Sequence, residues 1–218
     1  MSDATFYQYL QRFGFGEASG VDLPGEANGL LKKAQSWTKA NHATISFGQG
    51  IAVTAMQMVR AVGAIANGGV MCEPSVVSQV DSADGKPQAV GDTGGKRVIS
   101  KNASRIVTRM MEAVTADDGT APAAQIDGYR VAGKTGTAWR VDPVTGRYIR
   151  GQNTVSFMGF APADNPRFLT YIVLDKPYSS AGGGSTAAPV FHDIMSMALE
   201  RFGVAPTGSK PPKVRQEW

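Results

Sequence analysis

Apolar side chains recur every three or four residues in three stretches of the first half of the chain, a spacing that is typical of amphipathic helices. The predicted helices cover residues 2–13, about 54–66 and about 102–115. Thr54 and Ser100 lie where N-cap residues are expected, because a hydroxyl there can accept a bond from a free backbone N–H of the first turn. These stretches predict a helical N-terminal half.

Strand-like patterns dominate the second half. Three strands are predicted, at 129–138, about 153–161 and about 167–175. The links between them are short and rich in turn-forming residues, Asp142–Gly146 and Ala163–Pro166. Short links between successive strands indicate an antiparallel meander. The order of the elements therefore predicts an α+β fold, with an antiparallel sheet flanked by helices.

The remaining segments are less regular. Residues 70–80 are predicted to be a short strand or extended segment, and 81–96 an exposed loop or hairpin. Residues 117–125 are predicted to be a loop, because Gly119-Thr120-Ala121-Pro122 disfavours a helix. A glycine-rich loop, Gly182–Gly184, is predicted to lead to a last helix of about 187–202.

Composition and charge exclude several classes of function. The 218 residues carry a net charge of +4, scattered except for a Pro-rich basic tail at 205–218 that we expect to be disordered. No basic stripe interleaves with aromatic residues, so nucleic acid is not an expected partner. The single cysteine, Cys72, allows no internal disulfide, and His42 and His192 show no ligand spacing. The sequence predicts no metal, cofactor or membrane span.

The candidate chemistry lies in the first predicted strand, at Val131–Ala138. Side chains alternate along a strand, so Thr135 and Thr137 share one face and Lys134 lies between them on the other. Gly133 and Gly136 remove side-chain bulk, so another chain or a ligand could approach the backbone closely. Two hydroxyls, exposed amides and a cation suit an extended peptide that ends in a carboxylate. An ordinary core or edge strand is the alternative, because K-T-G also occurs by chance.

Other short motifs accompany this strand. They are Phe13-Gly14-Phe15-Gly16, Asp22-Leu23-Pro24-Gly25-Glu26, Ser46-Phe47-Gly48-Gln49-Gly50, Ala64-Ile65-Ala66-Asn67-Gly68-Gly69, Gly159-Phe160-Ala161-Pro162-Ala163 and Ala187-Ala188-Pro189-Val190-Phe191. Together with Gly133–Ala138 they resemble the transpeptidase domain of class B penicillin-binding proteins, most closely the septal, cell-division member. The resemblance implies that residues 1–204 are the C-terminal part of such a domain.

The resemblance implies peptidoglycan D,D-transpeptidase activity, in which a serine forms an acyl-enzyme with a D-Ala-D-Ala stem peptide and β-lactams trap that serine. By position, Lys134 would sit beside the serine of the S-x-N motif and help its proton shuttle, and the Thr135 and Thr137 hydroxyls would bind the terminal carboxylate. The Thr137 amide would form part of the oxyanion hole. The strand edge, including Gly136, would pair with the donor peptide. Trp139 and Tyr148 flank this strand and would contact substrate or serve only in packing.

The resemblance also implies a setting for the parent protein. It would lie at the periplasmic face of the bacterial inner membrane, serve septal cell-wall synthesis and bind division-machinery proteins. The family's nucleophile motif, S-x-x-K, and its S-x-N motif normally precede the segment that begins here near Phe6. We therefore expect a fragment that retains the substrate-binding strand, lacks the nucleophile and is inactive alone.

Two segments mimic the missing motifs. Ser36-Trp37-Thr38-Lys39 fits S-x-x-K, and Ser100-Lys101-Asn102 fits S-x-N. No long apolar helix is predicted after Lys39, and Ser100 is better explained as a helix N-cap. Two alternatives to the fragment remain open at this point. One is a non-catalytic module that binds peptidoglycan or a division partner, and the other is a serine β-lactamase or carboxypeptidase that uses Ser36.

Overall fold

The computed structural model describes residues 1–21, 23–82, 84, 86–89, 94–178 and 182–208. The chain divides into two compact units, Met1–Ser104 and Arg105–Trp218. Most of the predicted C-terminal tail, 209–218, lies outside the described residues. Each unit is described below by itself.

The first unit combines helices with two small antiparallel strand pairs. Its helices are α1 (Asp3–Arg12), α2 (Lys39–Ile45) and α3 (Ala55–Ala66), and its strands are β1 (Val70–Met71), β2 (Gln79–Asp81), β3 (Pro87–Ala89) and β4 (Lys96–Arg97). Strand β1 pairs with β4, and β2 pairs with β3. Strand β3, which forms a hairpin with β2, therefore lies in the segment 81–96 that was predicted to be a loop or hairpin.

The predicted helix starts are confirmed by their caps. The Ser2 and Thr54 hydroxyls accept bonds from backbone amides three residues on, at 3.2 and 3.1 Å. The Ser100 hydroxyl accepts from the Ala103 amide at 3.1 Å, and helix α4 (Lys101–Thr115) follows directly. Each cap satisfies a first-turn amide that the helix itself leaves unpaired.

The turn-rich segment between α1 and α2 is held by hydrogen bonds from two side chains to its backbone. The Glu26 carboxylate accepts bonds from the Ser19 amide at 2.8 Å and the Gly20 amide at 3.1 Å. The fully buried Gln57 donates to the carbonyls of Glu17 and Asn28 at 2.7 and 2.9 Å. Because each side chain bonds to two separate backbone groups, the two together fix the path of the segment, and Gln57 ties it to α3.

Helix α2 is an element that the sequence patterns did not predict. Thr38 and Asn41 form a capping box, in which the Thr38 hydroxyl accepts from the Asn41 amide and the Asn41 side chain accepts from the Thr38 amide. The usual sequence signature has Glu or Gln at the position that Asn41 occupies. With only seven residues, the helix also shows little periodicity.

The second unit is a three-stranded antiparallel sheet with a long helix. Its strands are β5 (Ala132–Val141), β6 (Tyr148–Ala161) and β7 (Phe168–Asp175), and its last helix is α5 (Gly183–Arg201). The strand order β5-β6-β7 is the predicted meander. The α+β fold class is confirmed.

Helix α5 covers one face of this sheet. The rings of Phe157 on β6 and Phe191 on α5 meet edge to face, 4.8 Å apart, and both side chains are fully buried. Met195 and Leu199 continue the buried stripe along the helix. The spacing of 191, 195 and 199 places these side chains on one helical face, so their burial explains why the helix packs in this orientation.

Several details of the elements differ from the predictions. The β5–β6 hairpin is longer, because pairing continues past Trp139 to Val141 and Tyr148. A single 3-10 turn, Pro122–Ala124, lies in the predicted loop at 117–125, since proline is tolerated in a first turn. Helix α5 begins at Gly183 rather than near 187.

No helix in the described ranges is long and apolar enough to cross a bilayer. Across those same ranges, His, Cys, Asp and Glu side chains form no group of three or more that would hold a metal ion.

Candidate functional site

Strand β5, which carries the predicted site residues, lies at an edge of the sheet. It pairs with β6 in an unbroken register from Ala132↔Phe160 to Trp139↔Asn153. Its other side has no strand partner among the residues that the structure describes. An unpaired strand edge is the kind of surface to which an extended ligand can add.

The cation and one hydroxyl of the predicted site are adjacent. Lys134 is exposed, and its Nζ donates to the Thr135 carbonyl at 2.9 Å and to the Thr135 hydroxyl at 3.3 Å. The two side chains start on opposite faces of the strand, as predicted. The Lys134 side chain bends around the strand edge, so that its ammonium group and the Thr135 hydroxyl share one site.

The second hydroxyl lies next to the start of helix α5. Thr137 is exposed, and a Cβ atom built on Gly182 would lie 3.5 Å from the Thr137 hydroxyl. Gly182 is the N-cap of α5. The N-terminal end of a helix carries partial positive charge. Lys134 and the helix end therefore make the Thr135–Thr137 surface favourable for an anion.

The glycines of β5 make room for the protein itself. A Cβ atom on Gly136 would lie 2.4 Å from the Ser156 hydroxyl, and one on Gly133 would lie 2.3 Å from the Phe157 ring. The prediction that another chain or a ligand approaches these glycines closely is therefore wrong for a ligand, because neighbouring side chains of β6 fill that space. Gly136 can contribute to a site only through its backbone.

Glycines at the start of α5 bring the helix against both strands. A Cβ atom on Gly183 would lie 2.1 Å from the Ser156 carbonyl oxygen and 3.0 Å from that of Gly136. One on Gly184 would lie 2.0 Å from the Thr120 carbonyl oxygen. The sequence predicted a loop here because glycine is a poor helix former. Close packing outweighs that preference, since only glycine fits this first turn.

Helix α4 anchors the residues that lead into β5. The fully buried Glu112 carboxylate accepts two bonds from Arg130, at 2.6 and 2.8 Å. The hydrogen bond to Glu112 raises the pKa of Arg130 above its usual value, so the guanidinium group is charged at any ordinary pH. The Thr115 hydroxyl donates to the Val131 carbonyl at 2.7 Å. Sequence patterns gave no signal for these contacts, because the partners are 18 and 16 residues apart.

A polar network crosses all three strands beyond Thr137. Asp175 on β7 accepts from the Thr154 hydroxyl at 2.8 Å and forms an ion pair with Arg140 at 2.9 Å. Arg140 also donates to Gln152 at 2.8 Å. The Thr154 hydroxyl bond lowers the pKa of Asp175, and Arg140 lowers it further. The network holds the strands together where β7 ends.

Neither motif-like serine has the surroundings of a nucleophile within its own unit. The Ser36 hydroxyl donates to the Lys33 carbonyl at 2.8 Å, and Ser36 ends a 3-10 turn. Trp37 and Thr38 are extended, so Lys39 belongs to a different helix. A three-residue spacing brings two side chains together only on one continuous helix. Ser100 serves as the cap of α4.

Comparisons with known proteins agree with the resemblance seen in the sequence. The family described as "Penicillin binding protein transpeptidase domain" matches residues 1–196. Penicillin-binding protein PbpB of Mycolicibacterium smegmatis is 38% identical over 207 residues, covering 91% of this chain and 32% of that protein. Peptidoglycan D,D-transpeptidase FtsI of Escherichia coli is 36% identical over 215 residues, covering 96% of this chain and 34% of that protein.

Solved structures share the fold. Penicillin-binding protein 3 of Mycobacterium tuberculosis, in complex with ampicillin, has a TM-score of 0.87 at 35% identity, covering 95% of this chain and 48% of that chain. The transpeptidase domain of penicillin-binding protein 3 from Burkholderia pseudomallei has a TM-score of 0.82 at 33% identity, covering 95% and 60%. The chain spans about a third of the length of the curated relatives named above.

Proposed function

The chain belongs to the family of penicillin-binding protein transpeptidase domains, and from this premise we propose that it supplies the substrate-binding strand of a peptidoglycan D,D-transpeptidase. Residues 1–204 act as one part of the transpeptidase domain. The substrate is a stem peptide that ends in D-Ala-D-Ala. The same surface accepts β-lactams, which resemble that end.

The observation that carries this proposal is the grouping of Lys134, Thr135 and Thr137 at an open strand edge. The Lys134 ammonium lies 3.3 Å from the Thr135 hydroxyl, and Thr137 faces the N-terminal end of α5. Hydroxyl donors next to a cation and a helix end are suited to a carboxylate. An edge strand also pairs with an extended peptide backbone, so the end of a peptide chain matches both features.

Each residue then has a distinct role. The Thr135 and Thr137 hydroxyls donate to the terminal carboxylate, and the Gly136 backbone lies along the bound peptide. The Thr137 amide donates to the carbonyl oxygen as negative charge develops on it. Lys134 lies beside the serine of the S-x-N motif and assists its proton transfer. The hydroxyl of the attacking serine forms an ester with the penultimate D-Ala, its proton passes through this pair to the leaving group, and the terminal D-Ala leaves as the free amine. The amine of a second stem peptide then displaces the serine and forms the cross-link.

We place the attacking serine outside the described residues of this chain. Ser36 donates to a backbone carbonyl and shares no helix with Lys39, so neither side chain can activate the other in its present conformation. Ser100 caps α4. The chain alone is therefore expected to bind substrate without turning it over.

The setting proposed for the whole protein is septal cell-wall synthesis at the periplasmic face of the bacterial inner membrane, together with division-machinery proteins. The name of the relative FtsI, a peptidoglycan D,D-transpeptidase, supports the part of this proposal that concerns cell-wall synthesis.

Binding of N-acetyl-D-Ala-D-Ala, followed by NMR titration of the 218-residue chain, tests the carboxylate site. Thr135→Val and Thr137→Val should each weaken binding about tenfold, because each removes a hydrogen bond to a charged group. Thr170→Val, on β7, is the matched control. Equal binding of the peptide with an amide-capped C-terminus would overturn the proposed carboxylate site.

Intact-mass measurement after incubation with penicillin tests the position of the nucleophile. We expect no covalent adduct on the folded chain. An adduct that maps to Ser36 would contradict the proposal and establish the chain as a self-sufficient serine enzyme. Peptide binding that needs the free carboxylate, without any adduct, is the expected pair of results.

A further inference from the structure

The far end of the β5–β6 hairpin exposes an apolar surface. We call it the outer hairpin surface, and it is formed by Trp139, Val141, Val144 and Tyr148, which are 56%, 53%, 91% and 45% exposed. The rings of Trp139 and Tyr148 meet edge to face at 5.8 Å. The pair is therefore ordered without being buried. An exposed group of large apolar side chains is typical of a binding surface.

This surface is continuous with the face that carries the two threonines. The register of β5 on β6 is unbroken from Ala132 to Trp139, and the shift comes only between Trp139 and Val141. Side chains therefore alternate regularly, so Thr135, Thr137 and Trp139 share one face. At about 3.3 Å per residue, Trp139 lies roughly 7 Å beyond Thr137 along the strand.

A peptide bound at the threonines has one open direction along the strand. At the opposite end of β5, Val131 is 4% exposed and Ala132 is fully buried. A peptide chain that places its carboxylate at Thr137 must therefore extend towards Trp139. An extended residue spans about 3.3 Å, so the third residue from the end reaches Trp139.

The charge of this surface favours an acidic segment. Arg147 and Arg150 are exposed, and neither forms an ion pair among the residues that the structure describes. The nearby Asp142 carboxylate accepts from the amides of Val144 and Thr145 in its own turn, at 2.8 and 3.0 Å. Two free cations next to exposed aromatic rings suit a peptide that carries an aliphatic side chain and a carboxylate.

We infer that the outer hairpin surface binds the part of the stem peptide that precedes its two C-terminal residues. Trp139 and Tyr148 contact an aliphatic side chain of the third residue from the end, and Arg147 and Arg150 attract an acidic residue before it. The inference rests on the proposed function and makes these four side chains determinants of specificity for the substrate.

Two synthetic peptides test the inference on the 218-residue chain by NMR titration. One is N-acetyl-D-Ala-D-Ala, and the other is a five-residue peptide with the same end, preceded by a lysine and a glutamate. The longer peptide should bind about tenfold more tightly. Trp139→Ala should bring its Kd to within about twofold of that of the dipeptide. Tyr9→Ala, at another partly exposed tyrosine, is the control for loss of an aromatic ring.

The charge contribution has its own comparison. The double variant Arg147→Glu and Arg150→Glu should weaken the five-residue peptide several-fold, and replacing the glutamate of the peptide by glutamine should remove most of that effect. Arg201→Glu, on α5, is the matched control. Equal affinity of both peptides for the wild-type chain would overturn the inference and leave the carboxylate site standing.

Two further outcomes separate this inference from the proposed function. In the first, the chain binds peptides with free and amide-capped C-termini equally well, but still binds the longer peptide more tightly. This result would contradict the carboxylate site and leave the inference standing. In the second, the chain binds vesicles of anionic phospholipid only when Trp139 is present, and the longer peptide binds no more tightly than the dipeptide. This result would overturn the inference in favour of a membrane surface.

Discussion

The two ends of the β5–β6 hairpin consist of the same two strands but are stabilised differently. The inner hairpin, where Ala132–Ala138 pairs with Thr154–Phe160, has β7 beside it and α5 over one face. The outer hairpin, Trp139–Asn153, continues past the end of β7 and is held by Arg140, Asp175 and its own turn. Packing stabilises the inner hairpin, which carries the threonines. Polar contacts stabilise the outer hairpin, which we propose contacts the substrate.

If both proposals hold, one strand combines a close-packed carboxylate site with an exposed recognition surface. Carboxylate binding needs hydroxyls that are held in place, which close-packed neighbours provide. Recognition of a variable peptide needs exposed side chains. An isolated two-stranded hairpin is only marginally stable, so the Asp175 network is what keeps those side chains in position.

The largest expected effect comes from removing an aromatic ring from the inner hairpin. Phe157→Ala should lower the free energy of unfolding by about 4 kcal/mol, because Phe157 is fully buried against Phe191. Trp139→Ala, in the outer hairpin, should cost about 1 kcal/mol or less, because Trp139 is 56% exposed. Urea unfolding followed by circular dichroism measures both. Equal losses would contradict the proposed division of the hairpin.

An intermediate effect is expected at the anchor of the inner hairpin. Glu112→Gln should destabilise the chain by about 3 kcal/mol, because it leaves the Arg130 charge without its buried partner. Glu200→Gln, at an exposed position of α5, is the control. The double variant Glu112→Leu and Arg130→Met should recover much of the loss, since apolar pairs often replace buried ion pairs. If the double variant does not recover stability, the loss in Glu112→Gln comes from packing around residue 112 rather than from the unpaired charge of Arg130.

The smallest expected effect is in the outer hairpin and depends on pH. The folded pKa of Asp175 is lowered, so its contribution to stability is present above its unfolded pKa of about 4 and is lost as the pH falls through the folded value. Asp175→Asn should therefore increase amide exchange in 139–153 at pH 7 more than in 154–160. The difference from the wild type should disappear in acid. Asp193→Asn is the control, and a difference that persists in acid would exclude the charge of Asp175 as the cause.

The sequence predicted those features that depend on local signals. The caps at Thr54 and Ser100, the meander of three strands and the grouping of Thr135 with Thr137 follow from hydroxyl chemistry and from the alternation of side chains. The resemblance to the family also followed from short motifs, and the family match confirmed it. The roles of Lys134, Thr135, Gly136 and Thr137 stay predictions until ligand binding is measured.

Features that depend on tertiary contacts were not predicted. The glycines at 182–184 led to the prediction of a loop. The first turn of α5 needs glycines there, because carbonyl oxygens of Gly136, Ser156 and Thr120 lie where Cβ atoms would be. Gly136 was predicted to let another chain or a ligand approach, and the Ser156 side chain of β6 fills that space. The Glu112–Arg130 pair gives no local pattern. In each case the deciding neighbour is distant in sequence.

The shift in register between Trp139 and Val141 has a consequence for self-association. A long, flat, apolar strand edge is a template on which other copies can add strands, and this process leads to aggregation. An irregularity in the pairing, together with Arg147 and Arg150, interrupts that template where the outer hairpin is most apolar. The hairpin can therefore display Trp139 and Val144 to solvent without offering a regular edge for fibril growth.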